Sequence, residues 1–157
     1  MLMEKLYLDI LKPDDWHVHL REGEVLSNVL PFSYDNFASA LIMPNLNAPI
    51  TNISLAETYY NDICRQIPKG INFVPHMTLY LTDELNRDEI KKVSTHKHIK
   101  AIKMYPQGAT TNSDSGISEY RDLYRLFEVM EENGVILCVH GEVTDENVDV
   151  FDRESVF

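Results

Sequence analysis

The sequence predicts an α/β fold in which a parallel β-sheet is flanked by helices. Five short apolar runs resemble buried strands, and helical patterns separate them, as in βα units rather than in hairpins. The composition agrees, because 44% of the 157 residues are hydrophobic and 25% are charged, which suits a globular chain with a core. The predicted strands are residues 16–20, 38–43, 73–79, 101–105 and 135–140.

Helices are predicted in two of the gaps between these strands. The motif Ser54-x-x-Glu57 is typical of a capping box, and it opens a predicted helix that runs to Gln66 and is stopped by Pro68. A second helix is predicted over residues 83–94. Each of these helices follows a predicted strand, as the crossovers of a parallel sheet require.

The third predicted helix has the clearest pattern. After the cap-like Ser118, apolar residues recur at helical spacing, and Gly134 supplies a C-terminal stop. The residues on this apolar face are Tyr120, Leu123, Tyr124, Phe127 and Met130. Residues 142–157 are acidic with scattered apolar side chains, and we expect a loop there that enters another helix.

Five strands joined by crossovers imply a sheet that is either open and doubly wound or part of a barrel. The spacing of the strands in the sequence does not choose between these two forms. A complete (β/α)8 barrel takes about 250 residues. On the barrel interpretation, residues 1–157 are a single domain that supplies about five of the eight strands, and the C-terminal part of the barrel is absent.

Charge and apolar content exclude several classes of protein. The formal net charge is −11, and residues 113–157 hold twelve acidic residues against three arginines, so the clustered cations that bind a phosphate backbone are missing. The sequence contains no run of about 18 uncharged apolar residues, so neither a signal peptide nor a membrane span is predicted. We expect a cytoplasmic protein that binds neither nucleic acid nor membrane, with Cys64 and Cys138 reduced and buried.

His17 and His19 form the sharpest local signal. Residues i and i+2 of a strand point to the same face, so both imidazoles would be directed at one point near the C-terminal end of the strand. That geometry suits one divalent metal ion. The alternative is a pair of histidines on a half-exposed strand, and an isolated His-x-His favours this alternative because short motifs recur by chance.

Lys103 is unusual because it lies inside an apolar strand. It shares one face of the predicted strand with Ala101, while Ile102 and Met104 lie on the other face. If both faces are covered, the ammonium loses its hydration and the amine is driven toward the neutral form. A neutral amine can add carbon dioxide to become a carbamate, which can bridge two metal ions. The alternative is a side chain that reaches solvent or forms a buried salt bridge.

His140 ends the last predicted strand and is followed by Gly141 and Glu142. Enzymes of the α/β class place catalytic groups at such strand ends, although a histidine of the core would fit equally well. Three strand ends would thus present candidate ligands to the same side of one sheet, and this coincidence favours a metal site. Neutral imidazoles favour zinc, while manganese, cobalt and iron stay open.

Six segments spread almost from end to end carry a family pattern. They are PDDWHVHLR (13–21), MPNL (43–46), MTLYLT (77–82), KMYP (103–106), ATTNS (109–113) and VHGEVT (139–144). Together they resemble the amidohydrolase superfamily and, within it, the shorter, bacterial-type dihydroorotases. The resemblance implies the barrel form of the α/β fold, a partial (β/α)8 TIM-type barrel made of roughly its first five βα units.

The resemblance implies a centre of two divalent metal ions, with zinc favoured. His17 and His19 would bind the more buried ion, and Lys103 would carry carbon dioxide as a carbamate that bridges both ions. His140 would bind the second ion. The family completes its site with a further histidine and with an aspartate that binds metal and carries protons. Neither is assigned up to Phe157, so no catalytic residue is expected within this chain, and the aspartate is expected beyond it.

The resemblance also implies that Arg21 and Asn45 grip the substrate carboxylate and that His140 contacts the substrate. The guanidinium of Arg21, two residues after His19 and on the same predicted strand face, can clamp a carboxylate through two parallel hydrogen bonds. A surface ion pair with Glu22 is less favoured, because sequence neighbours on a strand point to opposite faces.

The activity that the resemblance implies is the reversible interconversion of dihydroorotate and N-carbamoyl-L-aspartate in de novo pyrimidine biosynthesis. The complete protein is expected to be a homodimer, and the chain alone is expected to be inactive. Two alternatives stay open: another cyclic amidase such as a hydantoinase, and a non-catalytic dihydroorotase-like assembly partner. Thr110 and Thr111 would belong either to a mobile loop near the site or to a turn-rich connector.

Overall fold

Five parallel strands form one curled sheet, and their order in space follows their order in the sequence. The computed structural model describes residues 7–157, apart from the side chain of Asp122. The strands are β1 (Asp14–Val18), β2 (Ser39–Ile42), β3 (Val74–Tyr80), β4 (Ile99–Met104) and β5 (Ile136–Val139). A doubly wound sheet reverses its order at a switch point, so the unbroken order is that of a half-barrel. The prediction of a partial TIM-type barrel is confirmed.

The helices connect the strands on the outside of the curl. They are α1 (Gly23–Asn36), α2 (Ile53–Gln66), α3 (Arg87–Thr95), α4 (Tyr124–Glu132) and the short α5 (Arg153–Val156). A 3-10 turn (Tyr120–Leu123) leads into α4. Within residues 7–157, no helix is both long and apolar enough to span a membrane.

The sequence analysis does not predict α1. Pro31 lies inside this helix and no side chain caps its first turn, so the usual sequence signals of a helix are weak. Its buried residues, Leu26, Leu30 and Ser33, nevertheless follow helical spacing. This periodicity is the signal that could have revealed the helix.

Asparagine side chains cap α2 and α3, contrary to the predicted starts of these helices. Asn52 accepts a hydrogen bond from the backbone N–H of Leu55 at 3.0 Å, so α2 starts one residue before Ser54 and the predicted capping box is wrong. Asn86 accepts a hydrogen bond from the backbone N–H of Glu89 at 3.0 Å. α3 therefore begins at Arg87, four residues after the predicted start at position 83. An asparagine cap satisfies a free N–H of the first turn in the same way as serine does.

The core lies between the outer face of the sheet and the helices. Strand residues in this core include Ala40, Ile42, Met77, Leu79, Ile99, Ile102 and Met104. Helix residues that pack against them include Leu26, Leu30, Ala56, Ile63, Ile90, Val93, Val129 and Met130. Burial of this apolar surface holds the helices on the sheet.

The concave side of the sheet has a different character. We call it the inner face, and its side chains on β3, β4 and the residue after β4 are Thr78, Tyr80, Ala101, Lys103 and Tyr105. These residues alternate along the chain with residues of the core, as the predicted alternation in β4 requires. The rings of Tyr80 and Tyr105 lie 5.0 Å apart, and both are almost fully buried. The inner face therefore buries polar side chains where the outer face buries apolar ones.

Candidate metal and substrate site

The predicted site residues lie at the carboxyl ends of four strands. His17 belongs to β1, Asn45 follows β2, Lys103 belongs to β4, and His140 directly follows β5. The carboxyl ends of parallel strands gather at one rim of a barrel, where loops and strand ends supply functional groups. The topology thus brings residues that are far apart in the sequence to one edge of the inner face.

His17 and His19 converge as predicted, with their Nε2 atoms 3.2 Å apart and their ring centroids 5.1 Å apart. β1 ends at Val18, and its pairing with β2 shifts register after Asp15. The predicted strand range 16–20 placed His19 inside β1. In the structure, His19 lies just beyond the end of β1. The carboxylate of Asp15 accepts the backbone N–H of His17 at 2.9 Å, which fixes the start of this segment.

Both imidazoles are held in the neutral form at neutral pH. Burial lowers the pKa of His19 to about 4, and the charges of Arg21 and His17 act in the same direction. Burial also lowers the pKa of His17, and the nearby charge of Lys103 adds to this. Metal ions bind neutral imidazole, so this protonation state suits a ligand.

Lys103 is buried, with 2% of its surface exposed. Its Nζ lies 5.3 Å from the centroid of the Tyr105 ring. Among the described residues no carboxylate pairs with it, so neither an outward-reaching side chain nor a buried salt bridge accounts for it. Burial lowers the pKa of its amine, while Cys138, its neighbour in register on β5, acts in the opposite direction. The fraction of this amine that is neutral is therefore larger than at a solvated lysine.

His140 continues the pairing of β5 with β4, because its backbone N–H donates to the carbonyl of Met104 at 3.0 Å. Its ring lies 6.1 Å from the ring of Tyr105. Its Nε2 lies 3.4 Å from Oε1 of Glu142, yet this contact lacks hydrogen-bond geometry and leaves Nε2 buried without a partner.

The donor atoms fit part of a metal centre. Buried polar atoms without partners are rare in folded proteins, and Nε2 of His140 is one of them here. Within residues 7–157, however, no three histidine, cysteine, aspartate or glutamate side chains form a ligand group. The chain thus offers a converging pair of imidazoles, a third imidazole and a lysine. An unmodified lysine supplies no anionic oxygen, so a complete site requires further ligands.

Arg21 and Asn45 lie together, as their predicted shared role requires. Nη1 of Arg21 donates to the backbone carbonyl of Asn45 at 3.0 Å. The strand alternation that we used to predict this position does not apply, because β1 ends at Val18 and Arg21 has a left-handed backbone with a φ of 60°. A turn, and not a strand, directs the guanidinium toward Asn45.

The side-chain amide of Asn45 is 1% exposed and is held from two directions. Its Oδ1 accepts the hydroxyl of Tyr105 at 3.0 Å, and its Nδ2 donates to the carbonyl of Thr111 at 2.9 Å. Sequence reasoning did not assign a role to Tyr105, although its segment belongs to the family pattern. The second N–H of the amide is left for another acceptor.

The segment that contains Thr110 and Thr111 packs on Asn45 and is rich in turns. Asn112 donates from Nδ2 to the carbonyl of Asn45 at 3.1 Å and has a φ of 55°. Ser113 Oγ accepts the N–H of Thr110 at 2.9 Å. A cavity of about 270 Å³ opens beside this segment and is lined by Arg21, Leu46 and Thr111, among others. The segment is turn-rich and contacts Asn45, while its mobility stays a prediction.

Comparison with known proteins finds dihydroorotases among the similar sequences. The chain is 50% identical over 155 residues to a dihydroorotase of Acaryochloris marina, a match that covers 99% of the chain and 44% of that protein. The chain is similar to one part of the curated dihydroorotases. It spans less than half the length of the curated dihydroorotases that it matches. No family model matches the chain.

Solved structures of dihydroorotases share the fold. A dihydroorotase of Campylobacter jejuni matches with a TM-score of 0.84 and 35% identity, over 98% of the chain and 45% of that protein. A dihydroorotase of Saccharomyces cerevisiae in complex with 5-fluoroorotic acid matches with a TM-score of 0.80 and 32% identity, over 92% and 42%. An L-hydantoinase of Arthrobacter aurescens matches with a TM-score of 0.62 at 15% identity, over 83% and 29%, and this likeness concerns the fold alone.

Proposed function

We propose that the protein to which this chain belongs is a metal-dependent cyclic amide hydrolase that interconverts dihydroorotate and N-carbamoyl-L-aspartate in pyrimidine biosynthesis. The observation that carries the proposal is the convergence of His17 and His19, with 3.2 Å between their Nε2 atoms, at the same end of the sheet as the buried Lys103. The similarity of the chain to curated dihydroorotases supports it.

The metal centre is assigned to four residues. His17 and His19 would hold one ion, His140 would hold a second, and Lys103, once carboxylated, would supply anionic oxygen ligands to the centre. The carbamate would form when the nitrogen of the neutral amine bonds to the carbon of carbon dioxide and one N–H proton is released. Burial favours the neutral amine, which is the form that adds to carbon dioxide. Bound divalent ions, zinc by preference, supply Lewis acidity for amide hydrolysis.

Arg21 and Asn45 bind the substrate carboxylate. The guanidinium has five N–H donors and uses only one of its nitrogens on the carbonyl of Asn45, so donors remain for a bidentate carboxylate pair. The amide of Asn45 is fixed by Tyr105 and Thr111 and cannot rotate away. The chain thereby orients the ring of the substrate before reaction, which lowers the entropic cost of reaching the transition state.

The remaining ligands and the aspartate that carries protons are assigned to the part of the protein outside this chain. The chain spans 44% of the length of the dihydroorotase from Acaryochloris marina, so residues 1–157 are proposed as one N-terminal part of an amidohydrolase barrel that is inactive alone. The complete protein is proposed to be a cytoplasmic homodimer. Light scattering on the complete protein tests the dimer.

A comparison of two cyclic amides tests the proposed reaction. The complete protein is expected to hydrolyse dihydroorotate, and Arg21→Ala is expected to lower kcat/KM about 100-fold, as for other lost charged contacts. A hydantoin without a carboxylate should react poorly and should not respond to this change. Arg65→Ala is the matched control, because Arg65 forms only an exposed ion pair with Asp62 at 2.7 Å. Preferred turnover of the hydantoin would assign the protein to the hydantoinases instead.

A non-catalytic assembly partner is the second candidate function. It requires no metal, whereas the four proposed ligands are all present on one rim of the inner face. Metal analysis of the complete protein separates the two candidates. About two ions per chain support the enzyme, and a metal-free protein without turnover of dihydroorotate supports the assembly partner.

A further inference from the structure

Arg21 adopts a backbone conformation that residues with a side chain rarely adopt. Its φ is 60°, and Gly23 two residues later has a φ of 58°. The chain therefore reverses sharply between the buried Leu20 and the first turn of α1. A left-handed conformation costs free energy outside glycine, so it persists only where surrounding contacts hold it.

Tyr59 supplies such a contact. It lies on α2, 38 residues further along the chain, and its hydroxyl donates to the backbone carbonyl of Arg21 at 2.6 Å. The side chain is 5% exposed, so water competes little for this bond. Burial, together with the charge of Glu22, raises the pKa of the hydroxyl, which therefore stays protonated and able to donate.

The two ends of Arg21 are thus fixed by two separate parts of the molecule. Tyr59 holds the peptide, and the carbonyl of Asn45 holds the guanidinium at 3.0 Å from Nη1. If the peptide rotated out of the left-handed region, the side chain would leave its position beside Asn45. Tyr59 is not proposed as a metal ligand, because its hydroxyl donates to the main-chain carbonyl of Arg21.

We propose that Tyr59 is a positioning residue for recognition of the substrate carboxylate, acting through the peptide of Arg21. This inference rests on the proposed function, because it assumes that Arg21 binds that carboxylate. It predicts that the Tyr59 hydroxyl contributes to substrate affinity and not to the chemical step. No ligand contact of Tyr59 itself is involved.

The test measures carboxylate binding in the complete, metal-loaded protein by calorimetry with 5-fluoroorotate, alongside KM and kcat for dihydroorotate. Tyr59→Phe removes only the hydroxyl and is expected to raise both Kd and KM about tenfold, the loss of one well-buried hydrogen bond, with kcat within twofold of the wild type. Tyr60→Phe is the matched control. Tyr60 is the next residue of α2, but its ring stacks on His98 at 3.9 Å, so neither constant should change.

A double-mutant cycle separates positioning from a general structural effect. In an Arg21→Ala background, Tyr59→Phe should cause no further loss of 5-fluoroorotate affinity, because the residue that it positions is gone. A purely structural role would weaken binding equally in both backgrounds and would lower kcat. Calorimetry reports the binding-competent fraction separately from Kd, so partial unfolding of a variant does not imitate the predicted shift.

The outcomes distinguish this inference from the function on which it rests. If the wild type neither binds 5-fluoroorotate nor turns over dihydroorotate, the proposed function is overturned. If the wild type does both, and Tyr59→Phe behaves like Tyr60→Phe or loses affinity equally with and without Arg21, the positioning role of Tyr59 is overturned.

Discussion

Ile102 and Lys103 are neighbours on β4 and are buried to almost the same extent, with 0% and 2% exposed. Ile102 points outward and joins the apolar core beneath the helices. Lys103 points to the inner face, where its amine lies beside the ring of Tyr105. Burial of the first stabilises the fold, whereas burial of the second costs solvation free energy and shifts its pKa downward. Equal burial thus has opposite consequences on the two faces of one strand.

The same contrast extends over the rest of the sheet. The outer face carries most of the strand residues of the apolar core, and changes there should act on stability. The inner face and its rim carry buried or half-buried polar groups, among them His19, Asn45 and Thr78. Changes at the proposed site should act on activity, since polar groups buried without a structural partner are retained mainly for function.

The largest expected effect is the loss of activity in Lys103→Ala. Without the amine no carbamate can form, so kcat/KM for dihydroorotate in the complete protein should fall about 1000-fold or more. Stability to denaturant should not fall by much, because a poorly solvated amine is removed. Lys100→Ala is the matched control, since Lys100 lies on the same strand and is exposed. Equal activity of both variants would refute the role of Lys103.

The converse change on the outer face is Ile102→Ala. Removing three carbons from a fully buried site should lower the free energy of unfolding by about 2–5 kcal/mol. Turnover per folded molecule and metal content should stay close to those of the wild type. Urea denaturation, with activity measured well below the unfolding transition, checks this. A loss of activity as large as that of Lys103→Ala, in folded protein, would contradict the division between the faces.

A smaller effect is expected in the pH dependence of stability of the metal-free protein. The pKa of His19 in the folded state, about 4, is depressed below its ordinary value of 6.5, so the unfolded chain binds the proton more tightly. The contribution of this neutral imidazole to the free energy of unfolding is fully present above about pH 6.5 and is lost as the pH falls toward 4. The loss should be on the order of 1–2 kcal/mol after allowing for partial exposure. Denaturation in the presence of a chelator should show a flatter pH profile for His19→Gln than for the wild type.

The smallest effect is expected for Thr78→Val, which sharpens the contrast because Thr78 is an inner-face residue with a structural partner. Its Oγ1 donates to the carbonyl of Ile42 at 2.6 Å, and the side chain is 1% exposed. Removing this bond should lower the free energy of unfolding by about 1 kcal/mol and leave kcat/KM unchanged. An activity loss beyond about threefold would place Thr78 in the site as well.

Much of the fold follows from local patterns in the sequence. The strand predicted at 73–79 is observed as Val74–Tyr80, and the strand predicted at 101–105 as Ile99–Met104. Apolar runs and β-branched residues determine such strands locally. The sequence analysis fails at α1, where Pro31 and an uncapped start conceal the helix, and at the caps of α2 and α3. Tertiary packing of Leu26 and Leu30 overrides those weak local signals.

The site is predictable where one strand supplies two groups, and not where distant segments meet. The pairing of His17 with His19 follows from the period of a strand. The contact of Tyr59 with Arg21 spans 38 residues, and that of Asn45 with Thr111 spans 66. Such contacts depend on the curl of the sheet and on the left-handed turn at Arg21, neither of which leaves a local sequence signal.

Anomalous X-ray scattering at the zinc edge, on crystals of the complete protein grown with zinc, tests the metal assignment most directly. We predict two peaks on the rim of the inner face, one of them about 2.0–2.1 Å from nitrogens of His17 and His19. Density continuing from Nζ of Lys103 should bridge the two peaks. An absence of peaks at these histidines, or a Lys103 that ends in a bare amine between two bound ions, would contradict the assignment.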